Sequence, residues 1–413
     1  MRNKILDYEQ VLEKLNSIEQ SSNIIKKEKP IGITSYGLPI FRYTCGSGKN
    51  HVVLSAAQHG CEIVTTNFLI ELMTQISQKN QKFEFLNGND YTLHFLPMLN
   101  PEGYLIVTSA LRKVIARKLP DDEAHDVYLD YLEAYRQDDY NCKLGLSTNL
   151  KYHQQYFGHI EPEIILNKKY ENVRKNIQKI FESKKIPAGT LVTWHANGNG
   201  VDLNQNTPYN PKLEAIRNGE HKYSLYRYDD IETTIPGPIG CPTKHKDFEY
   251  EGENKALLKF LLELKNNKNI NLCAFFNYHS TGGLVYYKPC AEYKNLKEPY
   301  VMSHIEIEKI YNKKIAELYS SKTNYKLIEN EPSLTCFNDL IRLQIPGDML
   351  IELSVTPGNP LGPLIDETYN KTIEDNIEAL SFTIPKLKKL NEIKMEFIEK
   401  IESRKISEDA NER

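Results

Sequence analysis

No apolar run in the 413 residues approaches the ~18 that a membrane-spanning helix needs, so no membrane partner is expected. A charge excess is also missing. Lys and Arg number 52 against 55 Asp and Glu, a net charge of −3, and no global basic field points to nucleic acid. The seven cysteines (45, 61, 142, 241, 273, 290 and 336) are odd in number, widely spaced and without a CxxC pair. That pattern excludes a small disulfide scaffold and reads as reduced thiols in a reducing compartment. The start, MRNKILDYEQVLEKLNSIEQ, is charged throughout with no apolar h-region. No secretory signal is therefore expected, and the protein is placed in the cytoplasm. GSGK at 46–49 lacks the spacing of a phosphate loop, and no GxSxG elbow occurs.

What is present is enough apolar residue, 40% against 26% charged, to build a real core. The length admits two or three domains or one enlarged α/β domain. Leu6–Glu19 reads as an amphipathic helix. Pro39–Cys45 and His51–Ala57 flank a GSGKN turn and read as a hairpin. TTNFLIELMTQISQ reads as a helix capped by Thr65 or Thr66, and Tyr91–Pro97 as the next strand. Strand, helix and strand in that order indicate an α/β fold. From about 105 to 190 the chain is charged and nearly free of glycine, which reads as a helical insertion with a solvated surface. Residues 207–250 read as loop and ENKALLKFLLELKN as a helix. Leu272–Tyr278, Gly283–Tyr287 and Met349–Leu353 read as strands. The tail, 367–413, reads as one or two helices broken near Pro385.

The chemistry-bearing residues cluster in a few motifs. QHGCE contains the sole His-x-x-acid pair of the sequence, His59 and Glu62, just after the apolar run HVVLSAA. An imidazole and a carboxylate at a strand end can turn toward one point, and both suit Zn²⁺. In NYHSTGG, His279 ends a second apolar run, which makes it either a satisfied core histidine or a third ligand. Three protein ligands and an open fourth position form the catalytic pattern of zinc sites. WHANGNGVDLNQN is dense in turn residues. In IPGDMLIELS, Glu352 interrupts an apolar strand, where a carboxylate is costly unless it is paired, metal-facing or solvated.

QHGCE, LNPEGY, NGVDLNQN, NYHS and the glutamate of MLIELS resemble, in that order, the motifs of the zinc carboxypeptidase family. The opening IGITSYGLPIFRY is similar to that family's first segment, and WHANGNGVDLNQN looks most like bacterial members, including γ-D-glutamyl-diaminopimelate peptidases. The resemblance implies a mixed central β-sheet flanked by helices. It implies a peptidase domain over 1–366, interrupted at about 105–190, followed by the helical tail. It implies Zn²⁺ as cofactor, held by His59, Glu62 and His279. It further implies Glu352 as general base for metal-activated water, and a peptide or peptide-like substrate whose terminal carboxylate meets Asn204. The oligomeric state stays open.

Three positions depart from the family pattern. Gln205 stands where an arginine normally follows the asparagine, and glutamine cannot form the charged carboxylate fork. Lys244, Lys246, Lys288 and Arg342 are candidates for the replacement cation by charge alone. His195 stands at the oxyanion-stabilising arginine. No tyrosine lies between Lys326 and Glu352, which leaves Tyr325 as the candidate to cover the site, with Asp339 structural. These departures keep two alternatives open: a deacylase or amidase on the same scaffold, and a zinc-binding protein without turnover.

Overall fold

The computed structural model describes residues 5–115, 170–184, 194–204, 206, 250–287, 299–329, 345–354 and 368–411. Helix α1 (Tyr8–Ser21) starts where the Asp7 side chain accepts the Gln10 N–H and Gln10 returns the bond to the Asp7 N–H, a capping box. Strand β1 (Ile25–Lys27) follows, then a two-stranded antiparallel ribbon of β2 (Gly32–Ile33) and β3 (Pro39–Ile40). Next come β4 (Tyr43–Gly46), β5 (Asn50–Ser55), α2 (Ile63–Ser77), β6 (Tyr91–Leu96) and α3 (Pro101–Ile115). Helices α4 (Glu171–Lys184) and α5 (Gly252–Asn266) lead to β7 (Asn271–Ser280) and β8 (Leu284–Tyr286). Helix α6 (Pro299–Thr323), β9 (Lys326–Ile328), β10 (Asp348–Leu353) and α7 (Tyr369–Asn411) complete the order.

The main sheet has eight strands in the order β1-β4-β6-β5-β7-β10-β8-β9. Its centre, β6-β5-β7-β10, is parallel, and β4 and β8 join it antiparallel. This is the mixed sheet expected. The central strands read as near-continuous apolar runs because both faces are covered. On one face α1, α2 and α7 bury Val11, Leu15, Phe68, Ile377 and Leu380 against Phe276 and Tyr278. On the other, α5 buries Leu257 and Leu261 against Val53 and Phe275. Among the described residues no helix is long and apolar enough to cross a membrane.

Four expectations differ from what the fold shows. β4 and β5 do not form a hairpin; β6 lies between them, antiparallel to β4 and parallel to β5. Helix α2 begins at Ile63 with Glu62 at its cap position, and Thr65 sits one turn inside, its hydroxyl donating to the Glu62 carbonyl. Pro385 does not break the tail: α7 runs through it, because Ile373, Ile377, Leu380, Ile384 and Leu387 are all buried on one side. Tertiary packing there outweighs the missing N–H. The expected start of the insertion, about 105, falls inside α3, where Leu105, Ile106, Val107 and Thr108 are buried. Residues 116–169, 207–249 and 288–298 lie outside the described residues, and with them the DDEAHDVYLDYLEAYRQ helix, the IPGPIGCP loop and Lys244, Lys246 and Lys288. Asp339 and Arg342 lie outside them too.

Candidate metal centre

The carboxyl ends of β5, β7 and β10 lie side by side, the position where open α/β sheets gather ligands. After β5 the chain turns sharply at Ala57, whose φ is +50° and whose N–H is held by the Thr65 hydroxyl at 2.9 Å. The turn delivers His59 and then Glu62. His279 is the penultimate residue of β7, and Glu352, on β10, is directly in register with it.

His59, Glu62 and His279 are all buried and meet at one point. His59 Nδ1 is 2.9 Å from Glu62 Oε1, and His279 Nδ1 is 3.2 Å from Glu62 Oε2. The two Nδ1 atoms are 3.3 Å apart. Ligands about 2.0–2.1 Å from a tetrahedral ion stand roughly 3.3–3.4 Å from one another, so the set matches a zinc site in size. Its electronics match as well. Each ring faces an acceptor at Nε2, Asp202 Oδ1 at 3.2 Å for His59 and Gln58 Oε1 at 3.0 Å for His279. With the protons at Nε2, two Nδ1 lone pairs and the Glu62 carboxylate converge, and Glu62 Oε2 makes no hydrogen bond of good geometry. Such a cluster repels itself until a cation joins it.

Local electrostatics reflect this crowding. Burial alone would raise the Glu62 carboxyl, but His59 and His279 hold it well below the ordinary carboxylate range. Burial disfavours the His59 imidazolium, yet Glu62 and Asp202 raise it overall. Burial and the neighbouring Glu62 charge push Glu352 well above its usual range, with His59 opposing. A divalent cation would reverse much of this logic by favouring ionised carboxylates and neutral rings.

Three loops are locked together around the cluster. Asn100 donates to the carbonyls of Gln58 and Ala196, both at 3.1 Å, and its Oδ1 accepts the Gly103 N–H at 2.8 Å as the cap of α3. A Cβ at Gly60 would overlap the Gly103 backbone, so glycine is needed there for the loops to close. The WHANGNG segment is a pinned turn. Asn197 Oδ1 accepts from the Asn199 and Val201 N–H groups at 3.0 and 3.1 Å, and Trp194 Nε1 donates to the Asn197 carbonyl. Carboxylates hold it from behind. Glu102 accepts from Tyr36 and Gly198 N–H at 2.8 and 3.0 Å, and Glu251 accepts the Asn197 and Asn199 side-chain amides at 2.8 Å each.

This turn brings His195 to the cluster, its ring centroid 5.0 Å from that of His59. It also sets Asp202 behind His59 and buries Asn204, whose N–H is held by Asp202 Oδ1 at 2.9 Å. Asn204 Oδ1 is buried without a hydrogen-bond partner among the described residues. Gln205 lies outside them.

Tyr325 is not brought to the cluster. It is buried in the core on the Tyr278 side of the sheet, and its hydroxyl accepts from the Ser354 N–H at 3.0 Å and from Asn376 Nδ2 at 2.8 Å. The expected substrate-facing role is replaced by a structural one, holding the turn after β10, where Ser354 has a φ of +69°.

Asp202, Gln58, Asn277 and Asn100 carry much of the geometry and received no role from the sequence. The available signal was Asn277, an amide inside the apolar run LCAFFNYHS, since buried polar groups need partners.

A buried two-histidine, one-carboxylate centre at the strand ends of a mixed α/β sheet defines a class of metallohydrolase. The zinc carboxypeptidase family model (peptidase M14) matches residues 13–336, and the chain belongs to that family of hydrolases. Glu352 lies beyond the matched range, and its place beside the centre rests on the β7–β10 register. Among solved structures, bovine thrombin-activatable fibrinolysis inhibitor in complex with a tick carboxypeptidase inhibitor is similar. It is 12% identical with a TM-score of 0.52, covering 93% of this chain and 97% of that one. A second structure of thrombin-activatable fibrinolysis inhibitor is 12% identical with a TM-score of 0.51, covering 92% and 74%. At these identities the likeness speaks for the fold. No curated protein matches the sequence.

Proposed function

We propose that the protein hydrolyses a peptide or peptide-like amide at a zinc centre held by His59, Glu62 and His279. The carrying observation is the convergence of His59 Nδ1, His279 Nδ1 and Glu62 within 2.9–3.3 Å of one another. When bound, zinc supplies Lewis acidity that acidifies water and polarises a carbonyl. Glu352, in register with His279, takes the proton from the attacking water and returns it to the leaving amine. His195, against the His59 ring, offers a donor to the oxygen that becomes negative. Asn204, with its unpartnered Oδ1, offers an amide to the substrate's terminal polar group. Among the described cysteines, Cys45, Cys61 and Cys273 are buried free thiols, which supports a reducing compartment and substrates met inside the cell.

Gln205 favours a second reading within the same chemistry, an amidase or deacylase whose substrate lacks a free carboxylate at that subsite. Zinc content combined with one panel of substrates separates the readings. The panel holds ordinary C-terminal peptides, γ-linked cell-wall peptides and N-acyl amino acids. Release of C-terminal residues supports the peptidase, release of acyl groups alone supports the second reading, and a zinc-loaded protein inert on the whole panel refutes turnover.

A further inference from the structure

Behind the third ligand runs a line of buried polar side chains, Ser55, Asn277 and Gln58, that take no part in the proposed mechanism. Ser55 Oγ donates to Asn277 Oδ1 at 2.7 Å, Asn277 Nδ2 donates to Gln58 Oε1 at 2.7 Å, and His279 Nε2 is 3.0 Å from the same Oε1. We propose that Gln58 is the positioning residue for His279: its amide oxygen, oriented by Asn277 and Ser55, takes the Nε2 proton and leaves Nδ1 as the one ring nitrogen that can face the metal. The inference rests on the metal reading above.

The geometry supports it in three ways. First, Gln58 Oε1 has two lone pairs and two donors aimed at it, so its acceptor capacity is used in full. Second, Asn277 Nδ2 also lies 3.0 Å from His279 Nε2, so no ligand site remains on that side of the ring. Third, the relay has a polarity. Asn277 already presents its NH₂ to Nε2, so turning the Gln58 amide would set a second NH₂ there and force the proton onto Nδ1, which points at His59 Nδ1 and Glu62, where the cation belongs. The backbone of Gln58 is itself fixed by Asn100 Nδ2, which donates to its carbonyl at 3.1 Å.

The two histidines are thus backed differently. His59 has the carboxylate of Asp202 and His279 a neutral amide. Glu62 and Asp202 already touch the ligand rings, and Glu352 stands in register with His279. A neutral acceptor orients His279 without adding another negative charge, which leaves the bound ion a stronger Lewis acid than a second carboxylate would.

The test compares zinc affinity, by competition with a chromophoric chelator, in the wild-type protein, Gln58→Leu and Gln58→Glu. It adds nitrogen-15 histidine spectra of the zinc-loaded wild type. Gln58→Leu is expected to bind zinc about 10–100-fold more weakly. Gln58→Glu, which keeps the acceptor, is expected to bind at least as tightly as wild type. The His279 spectrum is expected to show a proton on Nε2 and coordination through Nδ1. A folded Gln58→Leu that binds zinc within about twofold of wild type overturns the inference while leaving the metal reading intact. Coordination through Nε2 in the wild type overturns it without any variant, which decides the matter should Gln58→Leu not fold. A wild type that binds no zinc overturns the metal reading itself.

Discussion

Replacing Glu253 with glutamine should stabilise this protein, and more so as the pH rises. Glu253 is fully buried at the start of α5, behind the WHANGNG turn. The side-chain amide that reaches it, Asn197 Nδ2, is 3.4 Å from both carboxylate oxygens, a poor return for a buried charge. Burial, then the charges of Glu102 and Glu251, push its carboxyl from the ordinary 4.5 to about 8. The folded state therefore holds a proton that the unfolded chain releases. Its stabilising effect is complete below pH 4.5 and is lost progressively until the pH passes about 8. Each pH unit between those limits is worth about 1.4 kcal/mol, so the loss by pH 8 is on the order of 4 kcal/mol. Glu253→Gln keeps the shape and removes the titration. Urea midpoints measured from pH 5 to 8.5 should fall with pH in the wild type and fall much less in the variant, with the curves diverging above pH 6. Parallel curves would refute the reasoning, as would a variant less stable than wild type at pH 8.

Other substitutions probe the remaining assignments. Tyr325→Phe removes the phenol oxygen that accepts from the Ser354 N–H and from Asn376 Nδ2, and should cost roughly 1–3 kcal/mol in a denaturation curve with KM unchanged. A severalfold rise in KM at unchanged stability would instead return Tyr325 to the site. Asp202→Asn removes the charge behind His59 and should weaken zinc binding about 10–100-fold in chelator competition. His94 is buried beside His51 and Arg42, and burial first and then these neighbours hold its imidazole well below the ordinary 6.5. The stability it lends is whole above pH 6.5 and is lost as the pH falls toward its folded value. Wild-type melting temperature should therefore drop between pH 6.5 and 5 more steeply than that of His94→Leu; equal slopes would count against the assignment.

The residues that converge at the candidate metal centre stood out in the sequence because each breaks a local pattern. His59 and Glu62 follow an apolar strand at a spacing that occurs once, and His279 and Glu352 are polar interruptions of apolar runs. Strands and helices whose periodicity is local, such as β7, β10 and α5, were legible for the same reason. Pairing was not. β6 enters between β4 and β5 from 45 residues further on, counting Gly46 to Tyr91, and no alternation pattern in β4 or β5 records that insertion. The side of the sheet on which Tyr325 lies was equally hidden, since an amphipathic phenol suits a core network and a substrate funnel alike. Gln58, Asn277 and Asp202 escaped notice because amides and carboxylates are ordinary in loops; only their burial against the ligand rings singles them out. The tail helix shows the converse. Pro385 is a strong local signal, and a continuous buried face overrules it.

The central claim is that a zinc centre and Glu352 together hydrolyse an amide. It is tested most directly by Glu352→Gln, assayed side by side with wild type for bound zinc and for turnover of an amide that the wild type cleaves. The variant should keep wild-type zinc content and lose at least about 10²–10⁴-fold in turnover, since the proton acceptor is gone while the ligands are untouched. Undiminished turnover with zinc in place would contradict it.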